Sequence, residues 1–126
     1  MVWSDPVGYQ EASMSEIGNV FYPVPDVAKA IEFYGDGLGL PLKFADGDRY
    51  AALNGGRTTF ALAGPEEDVT GGRPAASFKV ADVAASIARL QEAGATVLSP
   101  LSEGPHEYRA VLADPWGNAF VLYAPK

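Results

Sequence analysis

The sequence predicts an α+β fold built from two copies of a βαβββ module, and three observations carry that expectation. Val24-Pro25-Asp26-Val27-Ala28-Lys29-Ala30-Ile31 lies over Val80-Ala81-Asp82-Val83-Ala84-Ala85-Ser86-Ile87 at an offset of 56, with five of eight positions identical. Phe60-Ala61-Leu62-Ala63-Gly64-Pro65 lies over Phe120-Val121-Leu122-Tyr123-Ala124-Pro125 at an offset of 60, repeating Phe, Leu and Pro in register. Between these landmarks each half holds one segment of helical period and then short apolar pieces bounded by turn residues.

The elements follow in chain order. Residues 1–16 show no periodicity and read as a tail. Asn19 to Val24 reads as a strand, and Asp26 stands where a helix N-cap belongs, its carboxylate free to accept from backbone N–H groups. Val27, Ala30, Ile31 and Tyr34 then recur at helical spacing until Gly35, Gly37 and Gly39 break the pattern. Leu42–Phe44, Arg49–Leu53 and Thr58–Ala63 read as strands joined by hairpin turns at Asp46-Gly47 and Asn54-Gly55. The polar, Gly- and Pro-rich residues 66–73 link the modules. In the second half, Ala76 to Val80 is a strand and Asp82 a cap. Val83, Ile87 and Leu90 mark a helix stopped at Gly94, and Thr96–Ser99, Glu107–Ala113 and Ala119–Ala124 are strands. Asp114-Pro115-Trp116-Gly117 has type I turn chemistry: Asp bonds the backbone ahead, Pro presets φ and Gly closes the turn. The expected organisation is one domain over 17–126, with modules 17–65 and 74–126.

Composition narrows the function. The 126 residues suit one domain with a real core, and no apolar run approaches membrane-spanning length. The start lacks the basic and apolar regions of a signal peptide. Cysteine is absent, which removes disulfides, thiolate chemistry and Cys-ligated zinc. These features fit a cytoplasmic protein. A net charge of −7 argues against nucleic acid and anionic membranes as partners. The same acidity either draws in a cationic ligand or simply confers solubility.

The doubled module, with "VPDVAKAIEFYGDGLGL" in the first half and "DPWGNAFVLYAP" in the second, resembles the vicinal oxygen chelate superfamily. That superfamily includes glyoxalase I, the extradiol dioxygenases, the fosfomycin-modifying enzymes and the bleomycin-resistance proteins. The likeness runs from Ile17 to Pro125. It implies an eight-stranded open cup formed by the two modules, with the active or binding site inside and frequent pairing into dimers.

The resemblance also implies a divalent metal held in the cup of its enzymes by His, Gln or Glu from four strands. Those four positions fall on Asn19, Ala61, Ala75 and Val121. Alanine and valine offer no lone pair, and Asn alone is a poor ligand for a transition metal. Neighbouring positions offer nothing better, so no metal and no other cofactor is expected.

Strand alternation names what the cup would contain. Phe21 accompanies Asn19; Thr59 accompanies Ala61; Ser77 and Lys79 accompany Ala75; Tyr123 accompanies Val121. Small residues leave room, aromatics give a stacking surface, and a few polar groups fix orientation, as in a ligand pocket. The same residues would also fill an ordinary core. His106, the sole histidine, is either a solvated loop residue or a general base facing the cup. Trp116 either stacks on a ligand at the rim or caps the core. No residue is singled out as catalytic.

The function expected is metal-free binding of an aromatic or amphipathic compound, an antibiotic among the candidates. The alternative is a lyase, isomerase or dioxygenase-type enzyme of the same superfamily acting on a small carbonyl or aromatic substrate. A homodimer is expected, with Pro23 suggesting that the first strand lies at an edge and Trp3 and Tyr9 lying across the partner.

Overall fold

Two alternating faces along each strand decide the architecture. The structure, a computed structural model, describes residues 15–126. The elements are β1 (Glu16–Pro23), α1 (Val27–Ala30, continued by a π-helical turn Ile31–Asp36), β2 (Leu42–Asp46), β3 (Tyr50–Asn54) and β4 (Thr59–Ala63). A 3₁₀ turn (Pro65–Glu67) leads into the second module: β5 (Ala75–Lys79), α2 (Val83–Glu92), β6 (Thr96–Glu103), β7 (Glu107–Ala113) and β8 (Ala119–Pro125). All eight strands form one open sheet in the order β2-β3-β4-β1-β5-β8-β7-β6. The two expected βαβββ modules lie side by side and join through the antiparallel β1–β5 pair.

The capping signals work as chemistry requires. Asp26 accepts from Lys29 N and Asp82 from Ala85 N, both at 3.0 Å. Gly94 stops α2 with φ at 108°. There Ala95 N donates to Leu90 O and Gly94 N to Gln91 O, the paired bonds of a Schellman motif. After the π turn the helix ends at Gly39, whose φ is 72°, and Leu40 N donates back to Gly35 O.

Each helix covers one face of its own module. Val27 and Ala30 pack on Ala51, Leu53 and Leu62, while Val83 packs with Val80, Ala110, Leu112, Leu122 and Ala124. Leu53, Leu62 and Leu112 are fully buried, and burial of each contributes about 1.5–3 kcal/mol. The opposite face of the sheet carries a third, smaller cluster of Phe21, Ala61 and Ala63 beneath Tyr50 and Val69.

Three expectations need correction. β1 is not an edge strand: it pairs with β4 on one side and β5 on the other. Pro23 is tolerated because it is the last residue of β1, and Val24 N takes up the next bond, to Ala63 O. The true edges are β2 and β6. β6 runs on to Glu103 past Pro100, which an edge position and register shifts on either side of Ser99 permit. Residues 66–73 are more than a connector. The Thr70 hydroxyl donates to Arg73 O at 2.6 Å, and Asp68 accepts from Thr70 N, folding the segment so that Val69 drops onto the Phe21 cluster. Trp3 and Tyr9 lie outside the described residues. Among the described residues, no helix is long and apolar enough to cross a membrane.

Candidate ligand-binding cleft

On the helix-free face the sheet bounds a cleft of about 720 Å³. Its floor follows from register. Asn19 sits between Thr59 on β4 and Ser77 on β5, and Ser77 lies beside Val121 on β8. One step along β1, Phe21 sits between Ala61 and Ala75. At the β8 end, Tyr123 lies between Lys79 and Arg109.

Six of the expected residues come together in the cleft: Asn19, Phe21, Ser77, His106, Val121 and Tyr123. The other five do not line it, each for a local reason. Thr59 accepts a hydrogen bond from Lys43 Nζ at 2.8 Å, which occupies its hydroxyl. Ala61 is wholly buried within the Phe21 cluster, and Ala75, beside Phe21, is also buried. Lys79 is exposed at the end of β5. Trp116 is 82% exposed in the β7–β8 turn, which sits by the end of α2, where Pro115 packs against Gly94. Trp116 therefore neither caps the core nor reaches the cleft.

Sequence reasoning missed the other walls. Phe44, Asp46, Arg49 and Tyr50 come from β2, β3 and their turn, and Glu67 and Val69 from the linker. Ser102 to Glu107, with Arg109, close the far side. Extending the alternation to β3 and β7 would have found Tyr50, Glu107 and Arg109. Nothing in the sequence signals that the linker folds over the first module.

Charges in the walls are mostly paired. Arg49 Nη2 donates to Glu67 Oε2 at 2.7 Å and lies 4.0 Å from Asp46; hydrogen bonding to Glu67 raises the guanidinium's pKa further above its usual range. Arg109 meets Glu107 at 3.5 Å, and Lys126 bonds Glu103 at the lip. Burial, with Glu107 nearby, pushes the Tyr50 phenol up to about 12. Burial and then Glu107 and Glu16 raise Tyr123 as well. The Asn19 amide oxygen is covered from solvent and has no hydrogen-bond partner among the described residues. Such an unpaired buried acceptor costs about 1–3 kcal/mol.

The divalent metal implied by the family's enzymes finds no adequate donor set. Of its four positions only Asn19 carries a side-chain oxygen, while Ala61, Ala75 and Val121 carry none. No group of three or more His, Cys, Asp or Glu among the described residues is placed to hold a metal ion. What the cleft offers instead is aromatic surface, paired charges and one unpaired amide.

Comparison with known proteins agrees with this architecture. An uncharacterized protein of Mycolicibacterium smegmatis is 36% identical over 110 residues, covering 87% of this chain and 94% of its own. The crystal structure of a glyoxalase/bleomycin resistance protein/dioxygenase superfamily member from Vibrio splendidus 12B01 superposes with a TM-score of 0.69 at 18% identity, covering 90% of this chain and all of that one. Methylmalonyl-CoA epimerase from Mycobacterium tuberculosis superposes with a TM-score of 0.66 at 25% identity, covering 87% of each chain. The family model for Glyoxalase/Bleomycin resistance protein/Dioxygenase superfamily matches residues 16–122. With its doubled module and open eight-stranded sheet, the chain belongs to the glyoxalase/bleomycin resistance protein/dioxygenase superfamily.

Proposed function

We propose that this protein binds an aromatic or amphipathic small molecule in the cleft without the help of a metal, antibiotics being one class to test. The observation that carries the reading is the composition of the floor. Alanine and valine stand where ligating side chains would be needed, while Phe21, Tyr123, Asn19 and Ser77 share one concave surface. Apolar walls with a few convergent polar groups are what shape- and stacking-based capture requires. The test is to identify by native mass spectrometry any molecule that copurifies, then to titrate planar antibiotics and metabolites by calorimetry. Trp116 fluorescence is a poor reporter because that side chain lies outside the cleft. Recovery of a chemically altered ligand with turnover, abolished by His106→Ala, would overturn the binding reading.

A second reading is a metal-independent enzyme, such as a lyase, isomerase or oxygenase acting on a small carbonyl or aromatic substrate. It is supported by His106 and Glu107 standing next to each other at the lip, and by the likeness to an epimerase. Solvent-deuterium exchange into a bound carbonyl compound, lost in Glu107→Gln, would favour it.

We also propose a homodimer as the working unit. The outer edges of β2 and β6 are unpaired, and Leu42, Phe44, Leu98 and Leu101 are exposed on them. Light scattering at tens of micromolar should give twice the chain mass, and a monomer mass would reject the proposal.

A further inference from the structure

We propose that the ligand of the cleft is an organic cation: a planar or aromatic molecule with a protonated nitrogen that donates an N–H to Asn19. The inference rests on the small-molecule reading above and names the chemical class that reading leaves open. Three independent features of the cleft have the same polarity.

The first is the unpaired oxygen. Asn19 Oδ1 lies in the floor, covered and without a partner. Only a hydrogen-bond donor relieves it. A carboxylate or ether oxygen would leave it unpaired or repel it.

The second is the charge of the walls. Asp46, Glu67, Glu103 and Glu107 line the cleft against Arg49 and Arg109, with Lys126 bonded to Glu103 at the lip, four carboxylates to three cations. Both guanidiniums are already engaged, Arg49 with Glu67 and Arg109 with Glu107. An arriving anion would meet surplus carboxylate and compete for occupied arginines. An arriving cation meets the one carboxylate in excess, Asp46, which only approaches Arg49 at 4.0 Å.

The third is the aromatic surface. Phe44 and Tyr50 lie side by side, their ring centroids 5.9 Å apart and tilted by 31°, and Tyr123 continues the surface across the floor beside the small uncovered part of Phe21. The negative faces of these rings attract a cation and stack on a planar one. Burial is the main cause of the raised phenols of Tyr50 and Tyr123, and Glu107 adds to both.

A matched set of acridines separates the terms. 9-Aminoacridine is a planar cation with exocyclic N–H donors; N-methylacridinium is a planar cation without them; acridine-9-carboxylate is the corresponding anion. Binding is read by fluorescence anisotropy at low and high salt. The expected result is at least about tenfold tighter binding of either cation than of the anion, weakening as salt rises. 9-Aminoacridine should bind several-fold more tightly than N-methylacridinium. Asn19→Leu should abolish that last advantage. Asn19→Asp, a near-isosteric change, should tighten both cations, so the inference stays testable if the leucine variant does not fold. Equal binding of cation and anion would overturn the cationic class while leaving a small-molecule cleft intact. Failure of all three probes to bind at millimolar concentration would count against the cleft reading itself.

Discussion

The Tyr123 side chain lies directly against the backbone of Gly18: a Cβ built on Gly18 would overlap the phenol oxygen and come within 2.6 Å of the ring carbon bearing it. Gly18 is the extra residue where the β1–β5 register shifts between Ile17 and Asn19, so the bulge and the missing side chain together seat the tyrosine. Gly18→Ala should therefore push Tyr123 out of its place. Its phenol, now raised by burial and by Glu107 and Glu16, should titrate closer to the ordinary value of about 10. Ultraviolet titration against a Tyr123→Phe reference reads this directly. An unchanged phenol titration in a folded Gly18→Ala protein would show that the contact does not hold the ring.

Tyr50 predicts an alkaline limit. Its folded pKa is pushed up to about 12, chiefly by burial. A raised folded pKa means the native state holds the proton longer than the unfolded chain does. Stability from this group is complete below about pH 10 and is lost as pH rises toward 12. Allowing for partial exposure, the loss is on the order of 1–2 kcal/mol. Denaturant titrations at pH 9 and pH 11.5 should show a smaller decline for Tyr50→Phe than for the parent protein.

The β7–β8 turn predicts the opposite limit. Asp114 accepts from Trp116 N at 2.9 Å, from Asn118 N at 2.8 Å and from Asn118 Nδ2 at 2.9 Å. The bonds from Asn118 are the main cause of its lowered pKa. A lowered folded pKa gives stability that is present above the unfolded carboxylate pKa, about 3.9, and lost as pH falls through the folded value. Asp114→Ala should lower the melting temperature at pH 7 and make little difference at pH 2. An equal effect at both pH values would mean that the carboxylate's charge is not what holds the turn.

The floor composition predicts metal-free protein. Elemental analysis after purification without a polyhistidine tag should find far less than one equivalent of zinc, nickel, iron or manganese per chain. One equivalent retained through dialysis would mean that donors other than Asn19, Ala61, Ala75 and Val121 assemble a site.

The modules were legible because their signals are local and repeated. An Asp cap, a helical period and a closing Phe-x-Leu strand each act within a few residues, and duplication doubled every one of them. Alternation on β1, β5 and β8 was also legible, since those strands are central and one wrong step would expose a core face. The sequence misled where tertiary contacts decide. Thr59 alternates toward the floor, yet Lys43 reaches across from β2 to occupy it. Pro23 looked like an edge marker because its missing N–H matters only if a partner needs it, and at the end of β1 none does. Val69 joins the cleft through the fold of a polar segment without periodicity, a contact no strand pattern encodes.

Phe21 and Tyr123 should behave differently when truncated, although both face the cleft. Phe21 is 6% exposed and packs with Ala61 and Ala63 under Tyr50 and Val69, so much of its ring is core. Phe21→Ala removes that packing and leaves a void, costing about 3–5 kcal/mol of stability as well as its stacking surface. Tyr123 is half-buried against Gly18 and belongs to none of the three buried clusters, so Tyr123→Ala should cost much less stability. Its loss should still weaken a planar ligand by about tenfold, from lost stacking and lost buried area together. Trp116→Ala should leave affinity unchanged, because its side chain points into solvent beside α2. The decisive comparison is affinity measured at a temperature where all three variants are folded. If Trp116→Ala weakens binding as much as Tyr123→Ala does, the ligand is not in the cleft, and the β7–β8 turn becomes the place to look.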